Sequence, residues 1–131
     1  MEDKLTIKSL KELVSQASKD IETISADDAA VLRGKPGVLF IDVREGEELQ
    51  KTGKIAGALH VPRGMLEPQI DPTSPAHKPE LAASGKLVLF CATGGRSALA
   101  AKTLKEMGVE NAAHVAGGFP ALQNAGVPVE K

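Results

Sequence analysis

One cysteine, no tryptophan and no tyrosine stand in 131 residues, and the only aromatic residues are three phenylalanines. A single thiol cannot close an internal disulfide, so the fold does not depend on an oxidising compartment. With so few rings, the core has to be built from Val, Leu, Ile and Ala. No charge of one sign dominates: 16 basic and 17 acidic residues are interspersed and nearly cancel, so the electrostatic footprint of a nucleic-acid binder is missing. No apolar run reaches membrane-spanning length, and Met1-Glu-Asp-Lys-Leu5 is too charged for a signal peptide. Three scattered histidines, His60, His77 and His114, have no metal-ligand spacing with the cysteine. The expectation is a soluble cytoplasmic protein with no metal or organic cofactor, no nucleic-acid partner and no membrane. Its length suits one domain that buries roughly two thirds of its extended surface.

What the chain does have is a context for its cysteine. Val88, Leu89 and Phe90 read as a short buried strand. From Ser97 onward, Ala100, Leu104 and Met107 recur on one helical face that Gly108 can end. Cys91 therefore opens a glycine-bearing loop between the carboxyl end of a strand and the amino end of a helix. Backbone N–H groups in such a loop can converge on one point, where the helix dipole also favours negative charge. A thiol held there should ionise below its free value, near ~8.5, and stand exposed to attack a substrate.

The rest of the chain alternates short strands and helices. Residues 9–21 carry Leu10, Leu13, Val14, Ala17 and Ile21 at helical spacing, a helix that either packs on its own domain or meets a second subunit. Ser25-Ala-Asp-Asp28 resembles a capping box and starts a short helix to Leu32. Val38–Ile41, Ala58–Val61 and Ala112–Val115 read as strands, Glu45–Gln50 and Pro120–Ala125 as helices, and Gly117-Gly118 as a turn. Between Pro62 and Pro79 five prolines mark a long excursion, with about one helical turn near Leu66. This order predicts an α/β fold with a mainly parallel sheet, whose ligands bind beyond the carboxyl ends of the strands, where Cys91 lies. Residues 1–22 are expected to form an N-terminal helical extension and 23–131 the domain proper.

Several polar residues compete for roles. Arg96 either anchors the loop or stabilises the thiolate and receives an anionic donor through charge-assisted contacts. Thr93 and Ser97 can donate hydroxyl hydrogen bonds, although Ser97 equally suits a helix cap. Asp42 and Arg44 end a strand on the cysteine's side of the sheet and invite a catalytic reading. An ion-pair network with Glu45, Glu47 or Glu48 that ties loops together is the favoured account, leaving them at most a supporting role behind the site. Lys54, His60, His77 and His114 read as satisfied or solvated polar residues.

Cys91-Ala-Thr-Gly94-Gly-Arg96-Ser97 resembles the C-x-x-G-x-R-S/T active-site loop of rhodanese-like sulfurtransferases. Ile41-Asp-Val-Arg-Glu45 is similar to the family's D-V-R-E element, and Gly53-Lys-Ile-Ala-Gly-Ala58 to G-H-I-x-G-A. His60-Val-Pro62, Ala116-Gly-Gly-Phe119 and Ala125-Gly-Val-Pro-Val129 follow in the family's order. Two departures stand out: Lys54 where the family usually has His, and Leu122 where an aromatic is common. The resemblance implies a single domain around a sheet of about five strands, Cys91 as the catalytic residue, and Ala92, Thr93, Gly94, Gly95, Arg96 and Ser97 as the substrate-binding loop. It also implies that the proline-rich segment borders the site.

Loop length separates two chemistries. Four residues intervene between Cys91 and Arg96, whereas cysteine-dependent phosphatases of related architecture use five, a wider cradle for a tetrahedral phosphate. Phe90 also stands where tyrosine phosphatases usually have His. The expected activity is transfer of a sulfane sulfur from a small donor such as thiosulfate to a thiol or cyanide, through a Cys91 persulfide. The alternatives are a persulfide carrier that hands sulfur to a thiol-bearing protein partner and, less favoured by the loop, a phosphatase. Monomer and homodimer both remain open.

Overall fold

The computed structural model describes residues 6–131; the charged stretch Met1–Leu5 lies outside the described residues. Five parallel strands form the central sheet in the order β1-β6-β5-β2-β4. They are β1 (Glu22–Ile24), β2 (Val38–Asp42), β4 (Leu59–His60), β5 (Lys86–Phe90) and β6 (Ala112–Val115). A separate antiparallel pair joins β3 (Lys54–Ile55) to β7 (Val129–Glu130). The expected α/β class and parallel sheet are therefore present.

Strand alternation divides the core into two layers. Leu87, Leu89 and Cys91 project with Ile41 and Val43 toward α4 (Leu66–Ile70), α5 (Pro79–Ala83) and α6 (Gly95–Glu106). Val88 and Phe90 project with Phe40 and Val115 toward α2 (Ala26–Leu32) and α7 (Gly118–Asn124). Leu87–Phe90 are all wholly buried, each side chain stabilising the fold by about 2 kcal/mol. Leu122, one of the two departures noted in the sequence, fills the α7 layer and is also wholly buried. Lys54 faces outward on β3 and pairs with Glu130 at 3.5 Å.

α1 (Leu10–Asp20) is capped by Ser9, whose hydroxyl accepts the Glu12 N–H. It packs on α6, tied there by Lys102 to the Asp20 carboxylate and Lys105 to the Asp20 carbonyl. Of its expected apolar face only Ala17 is buried, while Leu10 and Leu13 stay exposed. β1 starts at Glu22, so the central sheet begins at the end of the expected extension. α3 (Gly46–Thr52) starts in a true capping box, Glu45 with Glu48. No helix among the described residues is long and apolar enough to cross a membrane.

The proline-rich segment is more ordered than its composition suggests. A 3-10 turn at Arg63–Met65 leads into α4, and α5 follows. Pro79 at the first turn of α5 costs no intrahelical bond, because that N–H would have no partner. Leu66, Ile70 and Leu81 bury themselves against the α6 layer. Only the start of the segment adjoins the carboxyl end of the sheet, through the Arg63 N–H on the Val43 carbonyl. Its middle, Ile70 to Pro72, lines a cavity of about 620 Å³ with Leu81 of α5 and with Met107, Val109 and Asn111.

Candidate active site

Cys91 follows β5 directly, and the chain must turn at once into α6. Gly94 makes that turn with φ +119°, a left-handed value that side chains resist. Gly95 is already helical, so of the two glycines only Gly94 uses its conformational freedom. The turn aims two amides at the sulfur: Gly94 N–H at 3.1 Å and Ser97 N–H at 3.3 Å from Cys91 Sγ. The Ser97 hydroxyl stands 3.6 Å from the same atom. Burial pushes the thiol pKa up, but the Ser97 hydroxyl and the backbone amides of Ser97, Thr93 and Gly94 outweigh it, leaving a net lowering.

Two expectations about this loop need correction. Cys91 is not exposed; its relative accessibility is 0%. The Cys91 carbonyl accepts the Phe119 N–H at 2.7 Å, and Gly118 presses against the backbone of Cys91 and Ala92, so the loop is sealed from behind. Gly117-Gly118 is accordingly more than a turn, because its second glycine makes room for the loop. Ser97 is not the helix cap either; Gly94 occupies that position. Thr93 is exposed, and no hydrogen bond joins its hydroxyl to the sulfur.

Arg96 is already engaged. Its two terminal nitrogens fork the Glu48 carboxylate at 2.7 and 2.8 Å. Glu48 also accepts the Glu45 N–H at 2.8 Å. The Arg96 guanidinium, against the opposing effect of burial, holds the Glu48 carboxyl down at about 2 instead of 4.5. A carboxylate lowered in this way stabilises the fold above the unfolded value, and that contribution drains as pH falls through the folded one. The stability margin of the wild type over Glu48→Gln should therefore be constant above pH 4.5 and shrink as pH approaches 2. Denaturant midpoints across that range check it; a margin that does not vary with pH removes the ion pair from the account.

Asp42 and Arg44 bind each other, not the glutamates that follow them. Arg44 Nη2 lies 2.9 Å from Asp42 Oδ2, and Nε 3.0 Å from Oδ1. Arg44 also reaches the Thr52 hydroxyl at 2.8 Å and the Gly53 carbonyl at 3.1 Å, and its guanidinium lies 4.2 Å from the centre of the Phe119 ring. Neither side chain hydrogen-bonds the sulfur. Together they brace α3 and the residue that holds the Cys91 carbonyl.

His60 and His77 satisfy backbone carbonyls, of Arg44 and Gln69 respectively. His114 does not fit that pattern. Its Nδ1 is 3.0 Å from the Ser97 hydroxyl, beside the thiol. Glu48, Gly118 and His114 are thus neighbours of the loop, where the sequence pointed only to an ion-pair network elsewhere, a turn and a satisfied polar residue. Strand alternation was the available signal for His114: Ala113 and Val115 turn toward α2 and α7, so His114 must turn toward α6.

A buried thiol under converging amides thus stands at the carboxyl end of a parallel sheet in an α/β fold. A family model of rhodanese-like domains matches residues 25–125, and the chain belongs to that family. A structure from Rhodopseudomonas palustris, described as a protein of unknown function and possible tyrosine phosphatase, is 42% identical with a TM-score of 0.90, covering 99% of both chains. The polysulfide-sulfur transferase homodimer of Wolinella succinogenes is 34% identical with a TM-score of 0.69, over 92% of this chain and 85% of that one. A putative sulfur carrier protein of Bacillus subtilis is 33% identical over 80 residues, 61% of this chain. The chain spans only 56% and 38% of the lengths of the two curated relatives it matches.

Proposed function

We propose that this protein is a cytoplasmic sulfurtransferase that carries sulfur on Cys91. The observation that carries the reading is the pair of amides, Gly94 and Ser97, aimed at one sulfur atom at 3.1 and 3.3 Å. Preorganised donors of this kind stabilise charge where it develops. The Cys91 thiolate attacks the outer sulfur of a donor such as thiosulfate; the S–S bond breaks and sulfite leaves with the electron pair. The persulfide then rests in the loop until an acceptor thiol, or cyanide in an assay, attacks its outer sulfur and frees the thiolate. A thiol whose pKa is lowered by these donors gives up its proton more readily, which eases the demand on a general base. Asp42 and Arg44 support the loop from behind, and Ala92, Thr93, Gly95 and Arg96 are the loop residues that would meet the donor. An anionic donor must meet Arg96 in the company of Glu48, which weakens the attraction.

A second reading is supported by the wholly buried thiol and by the Bacillus relative's description as a sulfur carrier. In it Cys91 loads readily but unloads only to a thiol-bearing protein partner.

Intact mass after incubation with thiosulfate or polysulfide tests both. Wild type should gain one sulfur atom and Cys91→Ser none, with thiocyanate formed on adding cyanide. Loading without turnover selects the carrier. No loading from any sulfane donor, with hydrolysis of an aryl phosphate, overturns the proposal in favour of a phosphatase.

A further inference from the structure

The mechanism above leaves one buried titratable side chain unused. His114 is 4% exposed. Its Nδ1 lies 3.0 Å from Ser97 Oγ and its Nε2 3.1 Å from Thr23 Oγ1. Ser97 Oγ is in turn 3.6 Å from Cys91 Sγ. Cys91, Ser97, His114 and Thr23 thus form one line across β5, α6, β6 and β1. The line runs from a sulfur with no solvent access to a residue exposed on the edge strand.

The Ser97 hydroxyl has one proton and three acceptors within reach: Cys91 Sγ, the Gly94 carbonyl at 3.3 Å and His114 Nδ1. Which one it serves depends on the tautomer of the ring. With its proton on Nε2, His114 donates to Thr23, and Nδ1 takes the Ser97 proton away from the sulfur. With its proton on Nδ1, His114 donates to Ser97 Oγ, and the Ser97 proton is free to turn onto the sulfur. A thiolate or persulfide anion favours the second arrangement, because a hydrogen bond to an anion is stronger than one to a neutral acceptor.

Resting on the reading of Cys91 as the sulfur-carrying residue, we propose that His114 is a positioning residue for that reaction, relaying the thiol proton to the edge strand and turning the Ser97 hydroxyl onto the sulfur. The protons balance along the line. The S–H proton passes to Ser97 Oγ, and the former Ser97 proton passes to His114 Nδ1. The Nε2 proton passes to Thr23 Oγ1, and the former Thr23 proton leaves to water. The sulfur keeps its electron pair, and nothing is oxidised or reduced. A neutral ring is required at the start, and burial lowers the His114 pKa in that direction. The elements packed on His114 present Thr23 from β1, Leu89 from β5, and Gly94 and Ser97 from the loop and α6. The titratable group among these surroundings is Cys91 itself.

Thiolate ultraviolet absorbance reads the thiol directly, because the chain has one cysteine and neither tryptophan nor tyrosine. His114→Leu should raise the Cys91 pKa by about one unit, an on-the-order-of-tenfold smaller thiolate fraction at pH values below it. His114→Asn, which keeps an amide facing Ser97, should restore most of the loss. Ser97→Ala should show the same rise, and adding His114→Leu to it should change little more. In wild type, imidazole ¹⁵N shifts should show the ring proton moving from Nε2 to Nδ1 as the thiolate forms, a readout that needs no variant to fold. A His114→Leu titration matching wild type, or a tautomer that does not change, overturns the proposal. Neither measurement uses a sulfur donor, so failure to load sulfur with the tautomer change intact would sink the sulfur-transfer reading alone.

Discussion

Gly118→Ala should cost the protein most of its sulfur loading and a large part of its stability. A Cβ at this position would stand 2.3 Å from the Cys91 carbonyl oxygen, 2.7 Å from the Ala92 carbonyl carbon and 2.8 Å from its oxygen. All three are backbone atoms, so relief comes only by moving the loop. The φ of +64° adds about 1–2 kcal/mol of left-handed strain for any side chain, and overpacking adds about 1–3 kcal/mol. Displacing the amides of Gly94 and Ser97 by even ~1 Å is worth on the order of 10²-fold in rate. Gly126→Ala separates the two costs. Gly126 has φ +90° and nothing within 4 Å of an added Cβ, so this variant should lose only the left-handed strain, about 1–2 kcal/mol, and load sulfur at the wild-type rate. Denaturant midpoints and loading rates for both variants decide the matter. Equal loading by the two would remove Gly118 from its place behind the loop.

Arg44→Met should be the most destabilising of the charge substitutions. It leaves the Asp42 carboxylate, 1% exposed, with the Arg44 backbone N–H but without its cation. Breaking a buried pair from one side costs about 3–5 kcal/mol, a large share of the ~5–15 kcal/mol that holds a domain together. The bonds to Thr52 and Gly53 and the contact with Phe119 go with it. Replacing both partners, Asp42→Leu with Arg44→Met, removes the stranded charge and should recover much of the loss. Unfolding midpoints of the single and double variants test this; a double variant less stable than the single one would mean that the carboxylate does more than answer Arg44. Sulfur loading per folded molecule should fall far less than the folded fraction does, because neither side chain touches the sulfur.

Much of the molecule is legible in one dimension because its strands are continuous apolar runs and its turns are spelled by glycine. β2, β5 and β6 were expected within a residue or two, since Val38–Ile41, Val88–Phe90 and Ala112–Val115 have no helical alternative of that length. β1, β3 and β7 have two or three residues each, too few to show a period, and only their partners make them strands. The proline-rich segment read as an excursion because proline hides helices; α4 and α5 form there through burial of Leu66, Ile70 and Leu81.

The site divides in the same way. The placement of Cys91 between strand and helix, the left-handed glycine before the helix and the four-residue spacing to Arg96 are local properties, and sequence alone determined them. Its composition also determined that the core would be aliphatic. Only the tertiary structure decided which distant groups meet the loop: Glu48 on Arg96, Gly118 behind Cys91, and His114 on Ser97, pairs separated by 48, 27 and 17 positions. Those meetings depend on strand order and on which face each side chain takes, and a parallel sheet brings neighbours together through crossovers that leave no local periodicity to read. They explain why a cysteine expected at the surface is sealed, and why its proton has a path out.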